Sequence, residues 1–535
     1  MRRFIHDEWA PLSYIPELAE DTARPVGAPT WVDTLDARRL TAYRVLAAYR
    51  DNARRYFLPA DQQRRGITNV DGYIQAEKAP ADGIREYGDA ALLVDTARAL
   101  VLGEDQSITL PDDTPEPITS WLTGWARSEQ FTRKLLQGEG DAATCGDSVY
   151  VLGPDAGKQR PRLRVYDPGF YFPDTLATLP GWDDDYPSIV HLAWEEEDDR
   201  GYTWVVRSTW QIRPLDTPRA SPWGGLQTYA CWFRKARYRV DLMLDNATVY
   251  SPEISRDPVV VQDWTDLGVD LIPVVHVPNT PHVWGQSTLT RVGQILDDIA
   301  GADTDLALGA QTSTSATFVT TGSGPAPLTG RPGEALGLPD GGSASWTDTS
   351  KNLVAMTGYL ETLLDRIAVN TRLAQALLGR IQPNEVPSGY ALQLGFHPAR
   401  QLMREARTIR DEKFPLILRF ALRLAQANGW APAGDTPDIA VALGASLPAD
   451  RAAAVAEVKD LLPVHGISTA TAVRVLTDAG FPIEDAKAEV EAIMRERFDD
   501  AVKLFEATGN AAAAAQMLGV PPVTTTGLEQ AAGQA

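Results

Sequence analysis

"LIPVVHVPNTPHVWGQSTLTRVGQILDDIAGADTDL" (Leu271–Leu306) decides how the chain is read. The apolar run Leu271–Val277 reads as a strand, and Pro278-Asn279 stops it. A short turn leads to Gly285. From there Leu289, Val292, Leu296, Ile299 and Leu306 recur at helical spacing and form one apolar stripe. Ser287 is the predicted N-cap. No residue at this joint is of a type and spacing that performs chemistry, so the joint calls for a mechanical reading.

Downstream, residues 311–350 lose periodicity and are dominated by Thr, Ser, Gly and Pro, with Phe318-Val319 a short strand candidate. Leu353, Met356, Leu360, Leu363, Leu364, Ile367 and Ala374 restore the helical period, and this second helix is predicted to end near Gly379. Gly379–Ser388 ("GRIQPNEVPS") is a loop with two prolines. A third helix is predicted over Gly389–Asn428, kinked at Pro398 and Pro415 because each lacks a backbone donor and clashes with a preceding carbonyl. A Gly/Pro-rich connector (429–447), further helices (449–508) and a disordered tail (510–535) complete this half.

Upstream, residues 1–32 read as an irregular arm. Helices are predicted over 33–57, 84–103 and 116–137. The first is decorated by Arg38, Arg39, Arg44, Arg50, Arg54 and Arg55, which reads as a solvated or inter-subunit face. From residue 145 the character changes. Val149–Leu152, Leu163–Tyr166, Ser188–Glu195, Tyr202–Ile212 and Leu226–Val240 are β-branched and aromatic runs separated by Gly, Pro and Asp, predicting antiparallel strands. Trp182, Trp194, Trp204, Trp210, Trp223 and Trp232 cluster there and predict a well-filled core.

The 535 residues carry 50 Lys and Arg against 71 Asp and Glu, a net charge of −21 that disfavours a conventional DNA binder. Two cysteines cannot staple a chain of this size and suit a reducing compartment. The N-terminal residues show no apolar signal core, and no apolar run is long enough to span a membrane. There is no GxxxxGK[ST] phosphate loop and no dinucleotide fingerprint. His6, His191, His276, His282, His397 and His465 show no metal-ligand spacing; His276 and His282 read as strand-end and loop residues. "GDSVYVLG" (Gly146–Gly153) echoes the nucleophile block of some esterases, with Ser148 in the nucleophile position, but leads into a strand with no later Asp-x-x-His partner. Gly285-Gln286-Ser287 lacks the second glycine of a nucleophile elbow. The acidic runs Asp183–Asp185 and Glu195–Asp199 read as solvated loops, the second a hairpin tip. No cofactor or metal is expected.

The order of elements resembles the portal proteins of tailed bacteriophages, in particular the large portal family of siphophages of actinobacteria and Gram-positive hosts. The residues that carry the resemblance are "LIPVVHVPN" (Leu271–Asn279), "GQSTLTRVGQILDDI" (Gly285–Ile299), "LPDGGSASW" (Leu338–Trp346) and "PSGYALQL" (Pro387–Leu394), with "GDSVYVLGPD" (Gly146–Asp155) and "RLRVYDPG" (Arg162–Gly169) in the β-rich part. The match of order spans roughly residues 35–510. It implies an α+β, mostly helical portal-type fold assembled as a twelve-fold ring around a central channel, at one capsid vertex of a virion put together in the host cytoplasm. It further implies a wing (33–284), stem helices (285–310 and 351–378), a clip (311–350), a channel loop (379–388), a kinked wing helix with its connector (389–440) and a crown (441–509). Double-stranded DNA passes through such a channel without sequence reading, and the implied partners are the major capsid protein, the terminase large subunit and a head–tail adaptor. A portal is not itself the motor, so no enzyme activity is expected, in keeping with the missing phosphate loop.

On that resemblance, Arg380, Gln382, Asn384 and Glu385 of the channel loop are the candidate DNA contacts. Asp297, Asp298, Asp305, Glu361 and Asp365, with Asp303, are candidates for an acidic wall along which DNA slides, countered by Arg291, Arg366 and Arg372. Arg400, Arg404 and Arg407 share a helix face and read first as inter-subunit salt-bridge residues, second as a DNA-facing belt. A second class of reading is a different ring-forming virion component, an adaptor or minor capsid protein. A third is a hydrolase using Ser148 or a metal at the acidic loops.

Overall fold

The structure, a computed structural model, describes residues 24–25, 28–52, 87–174, 179, 186–314, 318–321, 343–346, 350–375, 377–379, 394–444, 451–464, 466–478, 481, 483 and 486–518. It is a mixed α+β protein. The chain divides into two compact units. The first runs to Leu102 and from Gln106 to Leu443; the second comprises Gly103–Asp105 and the chain from Gly444.

In the first unit, helix α1 (Thr34–Arg50) starts where the Asp33 carboxylate accepts the Asp36 N–H at 2.8 Å. Helix α2 (Asp89–Leu102) follows, then strand β1 (Gln106–Thr109). The helix predicted over 116–137 is two helices, α3 (Glu116–Ser128) and α4 (Phe131–Cys145), because Gln130 turns the chain left-handed at φ 54°. The preceding residue explains the break. The buried Glu129 carboxylate reaches out of the helical path to the Arg160 guanidinium at 2.8 Å and the Leu163 N–H at 3.1 Å.

Helix α4 ends at Gly146, φ 97°, and strands β2 (Asp147–Asp155), β3 (Arg160–Tyr166) and β4 (Tyr171–Asp174) follow. Next come β5 (Ile189–Glu197), β6 (Thr203–Ala220), β7 (Leu226–Arg239), β8 (Val259–Asp266) and β9 (Val274–Pro278). They form an antiparallel five-stranded sheet in the order β4-β5-β6-β7-β8 and a three-stranded sheet β3-β2-β9. One face of the larger sheet, including Ala193, Val205, Ala236 and Tyr238, packs with Trp31, Val32, Ala37, Phe172, Val249 and Ile254 in one core.

Two expectations are corrected here. Among the described tryptophans of the β-rich cluster only Trp210 and Trp223 are buried; Trp194, Trp204 and Trp232 are half-buried and lie beneath Lys235, Arg237 and Arg213. Trp182 lies outside the described residues. Arg38 and Arg39 are not on a solvated face but in the core. Arg39 donates to Asp36 at 3.2 Å and to the Pro168 and Tyr171 carbonyls at 3.0 and 2.9 Å, with its guanidinium 4.1 Å from the Trp284 ring centroid. The buried Arg39 guanidinium is tolerated because each of its three nitrogens finds an acceptor and its flat face an aromatic ring. Arg50 pairs with its neighbour Asp51, and Arg54 and Arg55 lie outside the described residues.

Helix α5 (Gly293–Thr314), strand β10 (Phe318–Thr321), strand β11 (Ser343–Trp346) and helix α6 (Ser350–Thr371) make a long hairpin. The Phe318-Val319 strand expectation holds, with Phe318 opposite Trp346. Helix α5 begins at Gly293, five residues later than an N-cap at Ser287 predicts. The Thr288 N–H and the Ser287 hydroxyl are drawn to the Ala143 carbonyl at 3.0 and 3.3 Å, so Ser287 caps a tight turn at Leu289 N rather than the helix. Helix α6 ends at Thr371, not near Gly379, because Arg372 adopts φ 59°.

Helix α7 (His397–Ala427) and strand β12 (Ala440–Leu443), which pairs with β1, close the unit. Pro398 lies in the first turn of α7, where no donor is missed, and only Pro415 is interior. The second unit holds helices α8 (Arg451–Leu461), α9 (Thr469–Asp478), α10 (Ala486–Thr508) and α11 (Ala511–Met517). The tail predicted to be disordered from residue 510 instead begins with helix α11, which corrects that expectation over Ala511–Met517; the arm before Arg24, the acidic run Asp183–Asp185 and the rest of the tail beyond Leu518 lie outside the described residues.

Candidate functional site: the helical hairpin and its clasp

The joint between β9 and α5 is a clasp of hydrogen bonds. The Asn279 N–H donates to the Gly146 carbonyl at 2.7 Å, and its side-chain amide donates to Gln286 O at 3.0 Å. Gly285 N–H donates to Asp147 Oδ1 at 2.9 Å. The same Asp147 carboxylate, fully buried, takes the Tyr43 hydroxyl at 2.5 Å and lies 2.7 Å from His276 Nε2. Burial, then the Asp147 charge, pushes the Tyr43 phenol well above its ordinary pKa, so it remains a donor. Gly146 and Gly285 lie backbone to backbone, so close that a Cβ on either would run into the other's carbonyl oxygen.

A second anchor lies beside it. Arg410 of α7, fully buried, donates to both Glu139 oxygens at 2.9 Å, to Asn279 Oδ1 at 3.0 Å and to the Pro278 carbonyl at 3.3 Å. The punctuation Pro278-Asn279 and Gly285 is therefore the seat at which the hairpin is fixed to α4 and α7. Gly146 and Gly285 are the visible sequence signals of this seat. Arg410 and Glu139 carry none, since their pairing joins positions 271 residues apart.

From this seat α5 and α6 run together, 22 residues each, a rise of ~33 Å. Burial is confined to the base: Leu296, Asp297, Ile299 and Ala300 on α5, and Leu363, Ile367, Ala368 and Thr371 on α6. Beyond Ala300 and before Leu363, no described side chain of the hairpin is buried. Val354 and Tyr359 of α6 stand 74% and 51% exposed there, so the outer half has apolar surface that one copy leaves uncovered.

The wall candidates separate. Asp297 is buried and takes the Tyr49 hydroxyl at 2.6 Å, so it braces α5 against α1 and is no wall residue. Asp303 takes the Tyr87 hydroxyl at 2.8 Å, and Asp365 takes the Gln375 amide at 2.7 Å. Asp298, Asp305, Glu361 and Asp365 are exposed, and partial burial raises the Asp298 pKa. Arg380, Gln382, Asn384 and Glu385 lie outside the described residues.

On α7, Arg400 and Arg404 are exposed. Arg407 is instead tied within the chain, donating to the Val101 carbonyl at 2.8 Å and the Leu443 carbonyl at 3.4 Å, which corrects its assignment to an inter-subunit bridge. Glu405 pairs with Arg372 at 3.2 Å.

The hydrolase features are not brought together. Ser148 is buried with its hydroxyl 3.5 Å from the Val277 carbonyl. Ser148 lies opposite Val277 and Val149 opposite His276, so Ser148 and His276 are on opposite faces of the sheet. At the Glu195–Asp199 tip, Asp198 accepts from the Arg200 and Tyr202 N–H groups and the Trp204 indole, while Glu195 takes the Trp31 indole at 2.7 Å. Among the described residues no group of acidic, histidine or cysteine side chains is arranged to hold a metal, and no helix is long and apolar enough to cross a membrane. No protein family and no curated protein matches the chain.

Proposed function

We propose that the chain is the subunit of a portal ring of a tailed phage, a conduit through which double-stranded DNA enters and leaves the capsid. The observation that carries this reading is the α5–α6 hairpin. It is held by hydrogen bonds at its base, unburied over the described residues of its outer half, and apolar at Val354 and Tyr359, where a neighbouring copy would lie. Around a ring, paired helices of ~33 Å form the wall of a tube. Asp298, Asp305, Glu361 and Asp365 give that wall negative charge, which repels phosphates and lets the duplex slide. Arg380, Gln382, Asn384 and Glu385 are the proposed loop contacts to DNA. In this reading the ring has twelve copies and sits in the major capsid shell. It receives the terminase large subunit during packaging and a head–tail adaptor afterwards, and has no catalytic activity of its own.

Negative-stain imaging and light scattering of the purified protein test the proposal. The expected result is a ring with a central hole wide enough for duplex DNA. A monodisperse monomer across micromolar concentrations and moderate salt would overturn it.

A further inference from the structure

Beside the clasp, within the first unit of a single copy, lies an open cleft of about 100 Å³. Arg98, Arg291 and Arg372 all line it, together with Thr280, Asn370 and Glu405. In a chain of net charge −21, three arginines among the lining residues of one small cleft run against the average surface. The acidic lining does not cancel them. Glu139, at the inner wall, is already matched by Arg410 through two bonds of 2.9 Å, leaving Glu405 as the one acidic competitor among the lining residues.

The three arginines are available. Among the described residues Arg291 has no side-chain partner. Arg98 pairs with Asp95 at 3.1 Å and Arg372 with Glu405 at 3.2 Å, both between groups more than a third exposed. Exposed pairs of this kind are weak and exchange readily for a better anion. The Thr280 hydroxyl accepts the Gln286 N–H at 3.1 Å, which leaves its own proton to donate.

Arg372 adds a separate observation. It holds φ 59° at the end of α6, a conformation in which glycine is strain-free and arginine is not. Its side chain there meets Glu405, itself a lining residue of the cleft.

We propose that this cleft binds a phosphate oxyanion, gripped by Arg98, Arg291 and Arg372 and by the Thr280 hydroxyl. The charge-assisted, forked donors of arginine suit a tetrahedral oxyanion. The volume is well below the roughly 300–1,000 Å³ of sites for drug-sized organic molecules, so the ligand is a phosphate group itself, either the free ion or a phosphodiester of a DNA backbone. The inference concerns one copy and does not depend on ring formation.

The test uses the full chain, with inorganic phosphate titrated by calorimetry and thermal shift against chloride at matched ionic strength. Saturable stabilisation by phosphate is expected, weakened about tenfold in Arg291→Gln. Arg372→Gly removes a guanidinium while relieving the backbone, so it is expected to fold at least as stably and still bind more weakly. Glu405→Gln removes the competing carboxylate and is expected to bind severalfold tighter. A second arm measures anisotropy of a short labelled duplex. Loss of duplex binding in step with phosphate binding identifies the backbone phosphate as the source; duplex binding that ignores the same variants identifies the free ion. Phosphate acting no differently from chloride, or Arg291→Gln and Arg372→Gly binding as wild type, overturns the proposal.

Discussion

A methyl group on Gly285 has nowhere to go: the Gly146 carbonyl and the Asn279 amide, both backbone, stand in its path. Gly285→Ala is therefore expected to destabilise the first unit by about 2–4 kcal/mol, read as a lower denaturant midpoint. Gly358, inside α6, is the control, because a methyl added there meets nothing within 4 Å. Gly358→Ala is expected to stabilise by about 0.5–1 kcal/mol through helix propensity alone. Asp141 of α4 gives a pH signature at the same scale. Burial, then the Asp167 carboxylate, pushes its pKa from 3.8 up to about 7, against the pull of Arg50. The folded state thus holds a proton through a window in which the unfolded chain has lost it. Stability from this group is full below pH 3.8, falls as pH rises toward 7, and is level above. Asp141→Asn is expected to remove that fall: chemical denaturation at pH 5 and pH 8 would show the variant gaining on wild type at the higher pH, by at most about 2.6 kcal/mol, since the part of the fall below pH 5 lies outside the comparison.

At the scale of elements, the Glu139–Arg410 pair bolts α4 to α7 where the hairpin is seated. Glu139→Ala leaves a buried guanidinium without its carboxylate and is expected to cost about 3–5 kcal/mol. Replacing both, with Glu139→Leu and Arg410→Met, is expected to cost less than the single change. The remainder, roughly 1–3 kcal/mol, comes from the Asn279 and Pro278 oxygens that lose their donor. Denaturant midpoints of the three variants check the order. A double variant less stable than Glu139→Ala would show that Arg410 acts chiefly through Asn279. The same elements show what the sequence discloses. The strand ending at Pro278, the helical stripes of α5 and α6 and the hairpins of the β-rich part are local patterns and could be read directly. The start of α5 could not, because Ser287 and Thr288 answer to the Ala143 carbonyl, more than a hundred positions earlier. Arg38 and Arg39 read as surface because charge predicts exposure, and only the carbonyls of Pro168 and Tyr171 and the Trp284 ring make a buried site for Arg39. The clasp itself was half legible: Gly285 and Asn279 punctuate the sequence, while Asp147, Tyr43 and Arg410 join them only in three dimensions.

For the whole molecule, two forces oppose each other when copies meet. Each copy carries a net charge of −21, so like copies repel at low ionic strength. Each copy also leaves Val354 and Tyr359 exposed on the outer half of α6, where the fold offers them no cover. If these side chains form the seam between neighbouring hairpins, assembly strengthens with salt, since screening removes the repulsion and leaves the apolar contact. Val354→Asp with Tyr359→Asp is then expected to abolish rings on imaging while leaving the circular dichroism spectrum and the denaturant midpoint of the subunit unchanged, because neither side chain is buried within one copy. Charge substitution at Asp298 and Asp305 to Asn, by contrast, is expected to leave rings intact, since the proposed ring has those carboxylates on its channel wall and not in its seam. Rings that survive the α6 double substitution and dissolve on neutralising Asp298 and Asp305 would reverse the two assignments and place the subunit seam on α5.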